Sequence, residues 1–127
     1  MIVDTDVLIW YMRGNPRAKR ALDELGQFEI SAVTYMEVLQ GIRNQDELRS
    51  FKRFLVGRGI SCIAIDPSIS DRAIYFLERY VLSHGMRMGD ALIAATVDIR
   101  GESLLTANVA HYKMLPGIRV NRFKPTH

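Results

Sequence analysis

Four acids in this sequence sit where the apolar pattern breaks: Asp4, Asp6, Glu37 and Asp90. Asp4 follows the short apolar run Ile2-Val3, so its carboxylate leaves a buried strand where a sheet edge opens to solvent; Asp6 follows two residues later. A turn acid followed by a helix N-cap accounts for this pair just as well. Glu37 lies in Ser31–Ile42, whose helical neighbours at three and four residues are Val33, Thr34, Gln40 and Gly41. No cation stands there to pair it; unless it is a solvated surface acid, it needs a metal ion or a proton. Asp90 precedes Ala91-Leu92-Ile93-Ala94-Ala95, a helix start that is apolar nearly all round, and alone it reads as an N-cap. Brought together, Asp4, Glu37 and Asp90 would repel one another by several kcal/mol at low effective dielectric. A divalent cation removes that conflict. All-oxygen donors without a His/Cys cluster select Mg²⁺ or Mn²⁺ over zinc. Thr106 and Asn108, after the apolar Leu104-Leu105, would reach the same rim as neutral oxygen donors or serve only to form a loop.

The elements needed to position these residues are legible. Strands are expected at Ile2-Val3, Phe28–Ile30, Ile60–Ile65, Ser103–Thr106 and Ile118–Val120. Helices are expected over Val7–Met12 with Asp6 as cap, Pro16–Leu25, Ser31–Ile42, Gln45–Val56, from Asp66-Pro67-Ser68 to Ser83, and from Gly89-Asp90 to Ile99. Strands separated by helices imply crossover units, hence an α/β fold with a short parallel sheet of about four to five strands and helices on both faces. Such sheets bind ligands at the carboxyl ends of their strands. A length of 127 residues, 48% apolar and 24% charged, fits one domain over 1–127 and argues against disorder or a coiled coil. No long uncharged apolar stretch would span a membrane, and no basic segment precedes Asp4 as a secretory signal requires. The single cysteine, Cys62, in a run that reads as a buried strand, excludes a disulfide framework and makes a reducing cytoplasm the expected compartment.

These segments resemble the motifs of the PIN-domain ribonucleases, specifically the VapC-type toxins of prokaryotic toxin–antitoxin pairs. The likeness covers nearly the whole chain, with four motifs in order. Ile2-Val3-Asp4-Thr5-Asp6-Val7-Leu8-Ile9 resembles the first, Ser31–Gly41 around Glu37 the second, Gly89-Asp90-Ala91-Leu92-Ile93-Ala94-Ala95 the third, and Thr106-Ala107-Asn108 with His111-Tyr112 the last. The resemblance implies Mg²⁺- or Mn²⁺-dependent hydrolysis of RNA phosphodiesters. Asp4 and Asp90 would be direct metal ligands, Glu37 a ligand through water or the group orienting the attacking water, and Asp6, Thr106 and Asn108 accessory groups. The family often has a fourth acid where this chain has Asn108, so one firmly held metal is expected, with a second weak or brought by substrate phosphate. A homodimer and a cognate VapB-type antitoxin lying over the active-site groove are also implied. Two readings compete: a non-catalytic RNA-binding PIN domain, and an aspartyl-phosphate phosphatase of haloacid-dehalogenase type suggested by Asp4-Thr5-Asp6. The second lacks the later acidic pair that such a phosphatase needs.

Charge gives a weaker clue. Seventeen Lys and Arg against 14 Asp and Glu give a net charge of +3; with four acids assigned to one groove, the remaining 10 leave a distinctly basic body. Arg13, Arg17, Lys19 and Arg20 cluster in eight residues and are candidate RNA-phosphate contacts, as are Arg49, Lys52 and Arg53, although solvated helix faces account for both sets. Tyr11, Met12, Tyr35 and Leu39 are candidates for the antitoxin groove or a dimer seam, with core packing the plainer role. No catalytic role is assigned to His84, His111 or His127.

Overall fold

A computed structural model describes residues 1–126. Its five strands are β1 (Ile2–Val3), β2 (Glu29–Ser31), β3 (Ser61–Ile63), β4 (Ser103–Thr106) and β5 (Arg119–Arg122). They form one sheet in the order β3-β2-β1-β4-β5, and every pairing is parallel. The helices are α1 (Thr5–Met12), α2 (Pro16–Leu25), α3 (Ala32–Gly41), α4 (Gln45–Gly57), α5 (Pro67–His84) and α6 (Met88–Arg100), with a 3₁₀ turn at Val109–His111. The expected α/β architecture is therefore present. Strand order reverses between β1 and β4, which makes their carboxyl ends the crevice where a parallel sheet receives ligands.

Alternation along the strands divides the core between the two faces. Ile2, Ile63 and Leu104 pack into one layer with Ile69, Ala73 and Phe76 of α5 and with the buried face of α6. Val3, Ile30 and Leu105 point the other way, into a layer with Val7 and Leu8 of α1, Leu22 of α2 and Phe51 of α4. Helix α3 serves both layers, through Val33 on one side and Val38 on the other. Helix α6 is buried at Ala91, Ile93, Ala94, Ala95, Thr96 and Val97, so the nearly all-round apolar pattern does mark a central helix.

Three local expectations are corrected. Helix α1 starts at Thr5 and its cap is Asp4, not Asp6: β1 passes into the helix through an extended Asp4 whose side chain accepts the Thr5 N–H. Asp90 is not an N-cap either, because α6 begins at Met88 after Arg87, which makes no side-chain capping bond. The third strand shrinks to Ser61–Ile63 with only Ile63 buried, because it forms the sheet edge; Cys62 is an exposed free thiol. Gly101 ends α6 in a left-handed conformation at φ 64°, as a terminating glycine should.

Candidate functional site

Register fixes the base of the site. Val3 pairs with Leu105, and the Asp4 N–H donates to the Leu105 carbonyl at 2.9 Å, so Asp4 and Thr106 leave adjacent strands side by side. Thr106 Oγ1 donates to Asp4 Oδ2 at 2.8 Å and in turn accepts the Asn108 N–H at 3.0 Å. The Tyr112 hydroxyl, delivered by the 3₁₀ turn, donates to the same Asp4 oxygen at 3.0 Å and reaches Asp90 Oδ1 at 3.3 Å. A hydroxyl has one proton, so between two carboxylates it serves chiefly the nearer one. The other Asp90 oxygen lies 3.1 Å from His111 Nδ1.

Asp6, in the first turn of α1, accepts the Ala107 N–H at 3.0 Å through Oδ2, with Thr106 Oγ1 at 3.4 Å. Its Oδ1 is buried and, among the described residues, is the one buried side-chain polar atom with no hydrogen-bond partner. Burial, reinforced by the neighbouring Asp6 charge, pushes the Asp4 carboxyl up to about 7. Asp6 is also raised, chiefly by burial. Desolvation, followed by the Asp4 and Asp90 charges, holds the Tyr112 phenol far above its ordinary range, so it remains a donor.

Glu37 approaches from α3. Its Oε1 accepts from Thr5 Oγ1 at 2.6 Å, and that hydroxyl lies 3.0 Å from Thr34 Oγ1. As its helical neighbours implied, no cation among the described residues pairs with it. Its Oε2 lies over Gly89 of α6, where an added Cβ would sit only 3.0 Å away. Glycine there leaves the carboxylate room between α3 and α6.

The structure thus brings Asp4, Asp6, Asp90 and Thr106 to one edge, with Glu37 joined through Thr5. Hydroxyls stand between the acids, and among the described residues no three His, Cys, Asp or Glu donors already close on one point. Thr106 is fully buried and serves the two aspartates directly, whereas Asn108 enters through its backbone N–H and is itself exposed. Thr5, Tyr112, His111 and Gly89 lie within the sequence motifs, yet nothing in the sequence assigned any of them a site role. Tyr112 meets Asp4 across 108 residues, a pairing with no local signature. The four clustered cations diverge: Arg13 lies over the Trp10 ring, Lys19 pairs with Asp23, Arg17 bonds the Lys124 and Thr126 carbonyls, and Arg20 is exposed. Arg49 pairs with Asp46. Tyr35 packs edge-on to Phe51, while Tyr11 and Met12 line an open groove with α3 and α4; Leu39 is exposed. His127 lies outside the described residues.

Comparison with known proteins identifies the family. The PIN-domain profile matches residues 1–114. Ribonuclease VapC10 of Mycobacterium tuberculosis is 33% identical over 134 aligned positions, spanning 100% of this chain and 96% of that protein. Ribonuclease VapC1 of Methanocaldococcus jannaschii is 33% identical over 91% of this chain and 80% of its own length. Among solved structures, a toxin–antitoxin complex from Klebsiella pneumoniae superposes with a TM-score of 0.76 at 27% identity, covering 99% of this chain and 98% of that one. DNA-bound VapBC from Salmonella typhimurium gives 0.83 at 20% identity, over 97% of both chains, and shows the shared fold. With these matches spanning its sheet and its acid cluster, the chain belongs to the PIN-domain family, among the VapC ribonucleases.

Proposed function

We propose that the protein is an Mg²⁺- or Mn²⁺-dependent endoribonuclease of the cytoplasm and the toxin half of a VapBC-type pair. The observation that carries this reading is Asp6 Oδ1, a buried carboxylate oxygen with no hydrogen-bond partner among the described residues, beside the buried acid Asp4. Such an arrangement is costly for the protein alone and suits a hard divalent cation. Asp4 and Asp90 would hold the ion, with Asp6 supplying its free oxygen and Glu37 acting directly or through water. When bound, the ion supplies Lewis-acid polarisation of a phosphoryl oxygen and a more acidic water.

The chain's own groups do the positioning. Thr106 and Tyr112 orient Asp4, and Tyr112 and His111 flank Asp90. Thr5 turns Glu37 toward the cleft, where a carboxylate can align a water for in-line attack and receive its proton. The purified protein should cleave structured RNA with Mg²⁺ or Mn²⁺, lose that activity in EDTA, and lose most of it as Asp4→Asn or Asp90→Asn. Unchanged cleavage in either variant would refute the assignment.

Two surfaces fit the implied partners. A groove of about 1160 Å³ between α1, the start of α2 and the α3–α4 arm exposes Met12 and Tyr11 above Val38, Phe51 and Phe54. An antitoxin segment with apolar anchors would fill it. Ile74, Val81 and Leu82 form an exposed stripe on α5, Leu82 being 97% exposed, and a second copy of this chain would cover it.

A further inference from the structure

A second feature lies on the β5 side of the acid cluster. Thr106 pairs with Arg122, and the Phe123 N–H donates to the Thr106 carbonyl at 2.8 Å. The chain then runs along the start of α2. There the Asn15 amide donates to the Pro125 carbonyl at 3.1 Å, and Arg17 Nη1 donates to the carbonyls of Lys124 at 3.2 Å and Thr126 at 3.0 Å. Between α2 and β5 this leaves a crevice of about 450 Å³ lined by Leu105, Phe123, Arg17, Arg20, Arg122 and Lys124, with Glu24 its one acid. Arg17 acts as a strut for the C-terminal segment. Arg20, Arg122 and Lys124 are exposed, and among the described residues none of them forms an ion pair.

Position and chemistry both point to one occupant. Leu105 of the crevice wall immediately precedes Thr106, whose hydroxyl donates to Asp4, so crevice and acid cluster are one residue apart along β4. Its cations come from both ends of the chain. Its single aromatic residue, Phe123, is buried and offers no face for a base to stack on. We propose that this crevice holds the sugar–phosphate backbone of a single RNA strand flanking the scissile bond, through Arg20, Arg122 and Lys124 and without reading its bases. The inference rests on the nuclease reading and adds to it the direction in which the strand leaves the site. The other cations of the 13–20 cluster, Arg13 and Lys19, line the separate α1–α4 groove and take no part.

The test measures binding of a fluorescent 12-nucleotide oligouridylate to the Asp90→Asn protein across a salt series, by anisotropy. Each phosphate contact contributes about 0.7 to the slope of log affinity against log salt for a single strand. Combined Arg20→Ala, Arg122→Ala and Lys124→Ala should reduce that slope by about 2, whereas Arg79→Ala on α5 should leave it unchanged. Melting curves of both variants exclude unfolding. An unmoved slope in the triple variant, an equal fall in the α5 variant, or displacement of the RNA by a 12-residue polyglutamate at matching concentration would overturn the proposal. Cleavage by the parent protein is scored separately. A metal-dependent parent with an unmoved slope would sink the crevice alone, and an inactive parent with the expected slope would sink the nuclease reading alone.

Discussion

At the scale of single residues, the site is a problem of unshared protons. Asp4 Oδ2 accepts from both Thr106 and Tyr112, while the one Tyr112 proton faces two carboxylates. Tyr112→Phe keeps the buried ring and removes the link between Asp4 and Asp90. Loss of an outer hydrogen-bond partner typically weakens metal binding about 10–100-fold. Mn²⁺ titration should show a loss in that range with only a modest drop in melting temperature, and unchanged Mn²⁺ affinity would contradict the bridging role. Asp4 also makes a pH prediction for the protein in EDTA. Its folded-state value of about 7 lies above the 3.8 of an ordinary aspartate, so the folded form holds a proton that the unfolded chain releases first. That contribution to stability is complete below about 4 and is lost as pH rises through 7. The melting temperature should therefore fall between pH 5 and pH 8, and less so in Asp4→Asn. Added Mg²⁺ should restore more stability at pH 8 than at pH 5.

At the scale of elements, helix ends do much of the placing. Asp6 and Asp90 each sit in the first turn of a helix, α1 and α6, where the aligned peptide dipoles favour negative charge. Ser31 caps α3 and sets the helical phase that carries Glu37 to Thr5. Gly89 then decides whether α6 leaves room for Glu37. In Gly89→Ala the new Cβ would crowd the mobile end of that side chain and touch Val33 Cγ1 at an ordinary 3.8 Å, and alanine favours a helix over glycine by up to about 1 kcal/mol. This variant should melt no lower than the parent and yet cleave RNA more slowly, because Glu37 must shift. Lower stability at full activity would show the reverse. The helices α2, α3 and α4 and the strand β4 were readable from caps, prolines and glycines with little or no error. The entry to α1 was not: Asp6 reads as the cap in sequence, whereas the helix follows β1 directly and Asp4 caps it. Nor was edge strand β3, whose Ile60–Ile65 run looks buried until the sheet order places it outermost.

At the scale of the whole molecule, charge and apolar surface are sorted to different faces. Acids meet at the carboxyl ends of β1 and β4, cations gather between α2 and β5, and an apolar stripe runs along α5. If the stripe is the self-association face, Leu82→Glu should convert a dimer to a monomer in light scattering. It should do so without lowering the melting temperature of the single chain, because Leu82 is almost wholly exposed. A dimer that survives this change would move the interface elsewhere.

The sequence by itself determined the α/β class, the identities of the acids and the family they mark, because apolar periodicity, caps and short motifs are local properties. Tertiary structure alone decided which partners those acids keep. The Tyr112 bridge, the orphaned Asp6 oxygen, the space over Gly89 and the crevice joining Arg20 to Lys124 all arise where a parallel sheet sets distant residues side by side. Even the small net charge of +3 changes meaning once folded, because opposite charges that cancel along the chain are separated in space.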